Sequence, residues 1–214
     1  MKKNMATEIT IIRHGETIWN VQQRIQGQRN SKLSENGILQ AELVANALAK
    51  REFDILISSD LERAVETAKI INKQLHLPFE YNANLRERSF GKVEGMSFAE
   101  INQQYPVEFH SYKQRDPKFA FSGGESIEQL FKRVTTEIEV IAVKCIDQKV
   151  LLVSHGLVLE MMMYKTFNIR LSQPRVFSIN NSSISSFYID GDRWFLKEWG
   201  VIEHLVSLNV LNEL

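Results

Sequence analysis

The sequence predicts an α/β fold, a three-layer sandwich with a mostly parallel sheet, an antiparallel edge strand and helices on both faces. Three observations carry that prediction. Strand, loop and amphipathic helix repeat in order along the chain, as right-handed crossover units require. Near the end, Asp190-Gly191-Asp192 separates two strand-like segments and reads as a hairpin turn. Finally, 43% hydrophobic and 24% charged residues in a 214-residue chain is an ordinary globular composition, and a chain of this size buries roughly 70% of its unfolded surface.

Taken in order, Ile9, Ile11 and Ile12 suit a buried first strand that runs into Arg13, His14 and Gly15. A helical turn follows at 17–24. Ser34 is the expected N-cap of a helix reaching about Lys50, with Leu39, Leu43, Ala47 and Leu48 as its apolar stripe. Residues 53–58 read as the second strand, and Ser59 with Glu62 as a capping box opening a helix to about Leu75. A short strand at 79–81 leads to Leu85-Arg86-Glu87, then to an irregular stretch with a helix near 97–104. Ser126 and Gln129 form another capping box before a long amphipathic helix to about Ile146. The third strong strand, 149–154, enters His155-Gly156 and a helix over 157–167, and the hairpin strands are expected at 183–189 and 193–199. With no repeat, low-complexity segment or Pro/Gly/Ser-rich linker, residues 1–214 read as one domain in which 88–125 is an insertion or lid.

The formal net charge of zero gives no global pull toward nucleic acid or an anionic membrane. A single cysteine, Cys145, excludes an internal disulfide framework and fits a reducing compartment. Lys2 and Lys3 precede an apolar run too short for a leader or anchor. A cytoplasmic location is the expectation.

Ligands in open α/β sheets bind at the carboxyl ends of strands, and three strand exits here carry cationic or titratable groups. The first gives Arg13 and His14, the second Arg63 in the first turn of the following helix, and the third His155. Two guanidinium groups and two imidazoles on one rim make a bowl the size of a phosphate, which arginine binds in bidentate fashion. Bland readings stand beside this one: Arg63 paired with Glu66, His155 as a satisfied core histidine, Glu87 as an exposed acid.

With these pieces in order, the sequence resembles the histidine phosphatase superfamily, also called phosphoglycerate mutase-like. The matching segments are Arg13-His14-Gly15-Glu16-Thr17 with Trp19-Asn20, Gln26-Gly27, Ser58 to Ala64 with Glu66-Thr67-Ala68, and Leu85-Arg86-Glu87 with Gly91 and Glu94-Gly95. Gly124-Glu125-Ser126 and Val153-Ser154-His155-Gly156 complete the set, with a weaker match at Asn181-Ser182-Ser183. The resemblance implies phosphoryl transfer through a phosphohistidine on His14, with Arg13, Arg63 and His155 spreading the phosphoryl charge and Glu87 moving the proton. It further implies that Asn20, Gln26, Gly27 and Gly156 face the substrate, a small phosphomonoester, and that no metal or other cofactor is needed.

Within the family, hydrolysis is preferred over a mutase reaction. The mutases carry a longer segment after the acid with adjacent arginines, and 88–125 has none; Arg115, Lys113 and Lys118 keep a carboxylate site, and hence a mutase, as the alternative. Short bacterial broad-specificity phosphatases are the nearest resemblance. From a different class, a non-catalytic phosphate-binding module would most simply lack His14 or Glu87, and both are present. A His-Glu-x-x-His zinc motif and a Gly-x-x-x-x-Gly-Lys-Ser/Thr loop are absent, which argues against a metal hydrolase and a nucleotide kinase. Met161, Met162 and Met163 read as core packing. The aromatic residues between Tyr105 and Phe121 leave two readings open, a lid over the leaving group or the closed end of a core.

Overall fold

The computed structural model describes residues 6–208; Lys2 and Lys3 lie outside them. Its strands are β1 (Thr7–Arg13), β2 (Ile55–Ser58), β3 (Phe79–Tyr81), β4 (Lys149–Ser154), β5 (Ile184–Asp190) and β6 (Arg193–Val201). They form one six-stranded sheet in the order β3-β2-β4-β1-β5-β6. The first four run parallel, and the hairpin β5–β6 adds two antiparallel strands beside β1. The helices are α1 (Ile18–Val21), α2 (Glu35–Leu48), α3 (Glu62–Leu75), α4 (Phe98–Gln104), α5 (Pro106–Lys113), α6 (Ile127–Lys144) and α7 (Gly156–Phe167).

Side chains alternate across a strand, and this alternation sorts the core into two layers. Ile9, Ile11, Ile57, Val150, Leu152, Phe187 and Ile189 pack with α6 and α7 on one face. On the other, Ile12, Leu56, Leu151, Val153 and Ile184 pack with α2 and α3. The central strands therefore read as nearly continuous apolar runs, because both faces are covered. A third, smaller cluster of Ile25, Phe90, Val93, Ile101 and Phe121 lies under α4 and α5.

Several elements differ from the sequence reading. The buried stripe of α2 is Gly37, Gln40, Ala41, Val44, Ala45 and Leu48; Leu39 is exposed and Leu43 and Ala47 are half-buried. The small residues let α2 lie close to the sheet, a packing preference that helical periodicity does not report. Ser59 and Glu62 do not form a capping box: Leu61 is the N-cap of α3 and makes no side-chain cap bond. The Ser59 hydroxyl instead lies 2.8 Å from His155 Nε2 and accepts the Leu61 N–H at 3.4 Å. The stretch expected to be irregular contains α5, whose first residue is Pro106, a favoured start because the missing N–H has no helical partner there. The capping box expected at Ser126 is formed, and Ser97 forms another with Glu100 that the sequence reading did not assign.

Candidate active site

The exits of β2, β4 and β1 are neighbours in the sheet, and register aligns them: Arg13 sits opposite Ser154 and Ser58 opposite Val153. Residues some fifty and ninety positions apart therefore meet on one rim. The backbone after β1 is fixed by backbone bonds from His14 N–H to Ser154 O (2.9 Å) and from Ser182 N–H to Arg13 O (2.9 Å). The Asn181 side chain donates to His14 O at 2.8 Å, and Gly15 N–H donates to Thr67 Oγ1 at 3.0 Å. A Cβ at Gly15 would stand 2.5 Å from the Gly37 carbonyl oxygen, so only glycine lets the start of α2 close against this turn.

His14 is buried, and its two nitrogens have opposite partners. Nδ1 lies 2.8 Å from the Gly15 carbonyl oxygen and Nε2 lies 3.2 Å from Arg63 Nε. A carbonyl requires a donor and a guanidinium N–H requires an acceptor, so the imidazole is neutral with its proton on Nδ1 and its lone pair on Nε2. Burial, with the charges of Arg63 and Arg13, holds its pKa well below the ordinary histidine value, against the Gly15 hydrogen bond, which raises it.

Arg63 is buried and its remaining nitrogens donate to Gly27 O at 2.7 Å and Arg29 O at 2.8 Å. Burial lowers its pKa to about 10, opposed by the charge of Glu87. Its partner is His14, which sets aside the Arg63–Glu66 pair. Gly27 has φ +55°, and a Cβ there would come within 2.1 Å of Glu94 Oε1. Arg13 donates to the Ile179 carbonyl. His155 is fully buried with its centroid 5.2 Å from that of His14; Ser59 faces its Nε2, while its Nδ1 has no hydrogen-bond partner. Burial and the nearby Arg63 and His14 keep His155 neutral by lowering its pKa.

Glu87 is half-buried and reaches the same cavity. Oε1 accepts the Arg88 N–H at 2.8 Å, and Oε2 accepts the Leu157 N–H, in the first turn of α7, at 3.3 Å. Burial nevertheless dominates and raises its pKa above the ordinary carboxylate range. Asn20 Oδ1 accepts the N–H and hydroxyl of Thr17, so the amide group turned to the cavity is a donor.

The cavity, of about 380 Å³, collects Arg13, His14, Asn20, Gln26, Gly27, Arg63, Glu87 and Gly156. It thus brings together the expected site residues, with His155 behind the rim. Its walls add Tyr112, from the stretch read as a lid or a core end, together with Trp19, Phe90, Phe98, Leu157 and Arg175, which sequence reasoning did not assign to the site. Arg115 and Lys113 do not line it. Arg115 Nη2 instead contacts the buried carboxylate of Glu160 at 2.6 Å, beside a separate cavity of about 240 Å³. Among the described residues, no group of three or more His, Cys, Asp or Glu is arranged to hold a metal ion, and no helix is long and apolar enough to cross a membrane.

A neutral imidazole lone pair in an arginine-lined bowl, next to a carboxyl with a raised pKa, defines a phosphoryl-transfer enzyme. Residues 9–202 match the histidine phosphatase superfamily (branch 1), and the chain belongs to that superfamily. It is 34% identical over 210 residues to the metal-independent phosphoserine phosphatase of Arabidopsis thaliana, covering 96% of this chain and 86% of that one. Phosphoglycerate mutase-like protein 4 of the same plant is also 34% identical, over 95% of this chain and 89% of that one. The solved structure of Bacillus stearothermophilus YhfR superposes with a TM-score of 0.87 at 29% identity, covering 93% of this chain and 99% of that one. The protein is a histidine phosphatase, and its reaction class is phosphomonoester hydrolysis.

Proposed function

We propose that this enzyme hydrolyses small phosphomonoesters through a covalent phosphohistidine on His14, with Glu87 as the proton donor and then acceptor. The observation that carries the reading is the opposed bonding of the two His14 nitrogens. It leaves Nε2 unprotonated on the cavity wall, its lone pair held by the Arg63 Nε–H until a phosphoryl group takes that place. On attack, Nε2 forms a bond to phosphorus while the ester P–O bond breaks, and the leaving oxygen takes the proton of Glu87. A water then attacks phosphorus, gives its proton to Glu87, and the P–N bond breaks to release phosphate and restore His14. The Arg63 N–H that holds the lone pair would move with Arg13 onto the phosphoryl oxygens, joined by the Asn20 amide and by His155, whose Nδ1 is left without a protein partner. The Gly15 carbonyl, which accepts the Nδ1–H, stabilises the positive charge that appears on the ring.

Trapping tests the reading. An acid-labile, base-stable phosphate on His14 after mixing with ester, absent in His14→Ala, is expected; its absence from an active enzyme would overturn the covalent route. Hydrolysis is preferred to the mutase alternative because Arg115, the cation best placed in sequence to hold a sugar-acid carboxylate, is engaged by Glu160. The aromatic wall formed by Trp19, Phe90, Phe98 and Tyr112 favours bulky or apolar leaving groups over phosphoglycerates.

A further inference from the structure

The loop that carries Glu87 is gripped from behind by a side chain that does not line the cavity. Arg133 projects from α6, and its Nη1 donates to the carbonyl oxygens of Asn84 at 2.7 Å and Arg86 at 3.0 Å. Nη2 reaches the carbonyl of Glu87 itself at 3.4 Å. The same guanidinium is held in a two-point ion pair, Nε to Glu125 Oε1 at 2.9 Å and Nη2 to Oε2 at 2.7 Å. With the two side chains only 20% and 15% exposed, the pair is largely shielded from solvent and its geometry is directional. A lysine, as a point charge with no planar fork, cannot satisfy these acceptors together.

The loop has other ties, most of them to its flanks: Ser154 Oγ donates to Leu85 O at 2.7 Å, Asn84 Nδ2 to Glu137 at 2.7 Å, Arg86 pairs with Asp60, and Arg88 donates to the carbonyls of Glu125 and Phe119, while Gln28 Nε2 reaches the carbonyl of Glu87 itself at 3.1 Å. The carboxyl of Glu87 is oriented by two backbone N–H groups, one of them its own neighbour's. Where the carboxyl points therefore follows from where its backbone stands, and Arg133 contacts that backbone at three carbonyls.

We propose that Arg133, braced by Glu125, is a positioning residue for the proton-donating carboxyl of Glu87. The inference rests on the role given to Glu87 above. A misplacement of about 1 Å costs up to about 10²-fold in rate, and here the loss has a signature. Protonation of the leaving oxygen matters most for a basic alkoxide and least for nitrophenolate, so an ill-placed Glu87 slows alkyl esters selectively. Phosphate binding by Arg13 and Arg63 uses other anchors and should be spared.

The experiment compares kcat/KM for glycerol phosphate and 4-nitrophenyl phosphate in the full chain and in Arg133→Met, Arg133→Lys, Glu87→Gln and the Arg133→Met/Glu87→Gln double variant. Arg133→Met is expected to lose about 30- to 100-fold on the alkyl ester and under about 5-fold on the aryl ester, with KM little changed. Arg133→Lys should fall between Arg133→Met and wild type. The double variant should be no slower than Glu87→Gln alone, since a missing proton needs no positioning. Equal losses on both esters, or losses that multiply with Glu87→Gln, would overturn the positioning role while leaving Glu87 as the acid. A Glu87→Gln enzyme with no contrast between esters overturns the acid assignment itself, and the positioning role falls with it. Should Arg133→Met not fold, Arg133→Lys and Glu125→Gln carry the same comparison.

Discussion

The rim and the wall of the cavity are built by different physics. On the rim, His14 and Arg63 are fixed by directional hydrogen bonds to backbone carbonyls or to each other. Across from them, Tyr112 is held by ring contacts with Phe90, Phe98, Phe109 and Phe121 at centroid distances of 5.9–6.2 Å. Ring packing is cohesive but tolerates small shifts, whereas a displaced hydrogen bond is lost. On the proposed mechanism, rate is entrusted to the directional side and leaving-group preference to the deformable side.

The largest effect expected is His14→Ala, which should abolish turnover because it removes the proposed nucleophile, while the protein still folds with a lowered Tm, since the buried Arg63 Nε–H loses its acceptor. Substantial hydrolysis by the folded variant would mean the rim does not act covalently. Glu87→Gln comes next, slowing kcat/KM by about 10²–10⁴-fold on alkyl phosphates and much less on nitrophenyl phosphate.

The pH profile sharpens the same side. In the proposed mechanism His14 reacts when neutral, so its lowered pKa should move the acid limb of kcat/KM below that of an ordinary histidine. The proposed acid Glu87 would react when protonated, so activity on alkyl esters should fall as pH rises through its raised pKa. Ionisation of the substrate is common to every variant, so comparing wild type with Glu87→Gln isolates the alkaline limb, which should vanish in the variant.

On the wall, Tyr112→Ala should raise KM for aryl phosphates several-fold more than for small alkyl phosphates; it should also lower Tm, because the ring belongs to the third cluster. A lower Tm with an unchanged substrate ranking would assign Tyr112 to the core alone. EDTA should change nothing, as measured by activity before and after dialysis.

The difference between rim and wall also explains what could be read in the sequence. Strand ends, the capping box at Ser126, and the cluster of Arg13, His14, Arg63 and His155 at strand exits are local signals, and each was legible. Ser59 satisfied the capping-box pattern too, but its hydroxyl sits by His155, ninety-six residues away, and that tertiary contact won over the cap. Neither the pairing of Arg115 with Glu160 nor the approach of Trp19, Phe98 and Arg175 to one cavity has any local pattern. The lid and core readings of the aromatic stretch turn out to overlap: Phe121 is buried in the third cluster, and Tyr112 belongs to that packing while facing the cavity.

The strand order has a consequence for how the enzyme comes into being. β4 lies between β1 and β2, yet it is encoded after both of them and after α6. Until it is in place, the two earlier strands have no partner in common, so the middle of the sheet is laid down late and by contacts distant in sequence, a slow kind of closure. A chain still lacking β4 has neither His155 nor the backbone bond that fixes His14 to Ser154. Phosphatase activity should therefore appear in refolding together with the last cooperative phase and never before it, a coincidence that stopped-flow fluorescence and timed activity assays on the same sample can check.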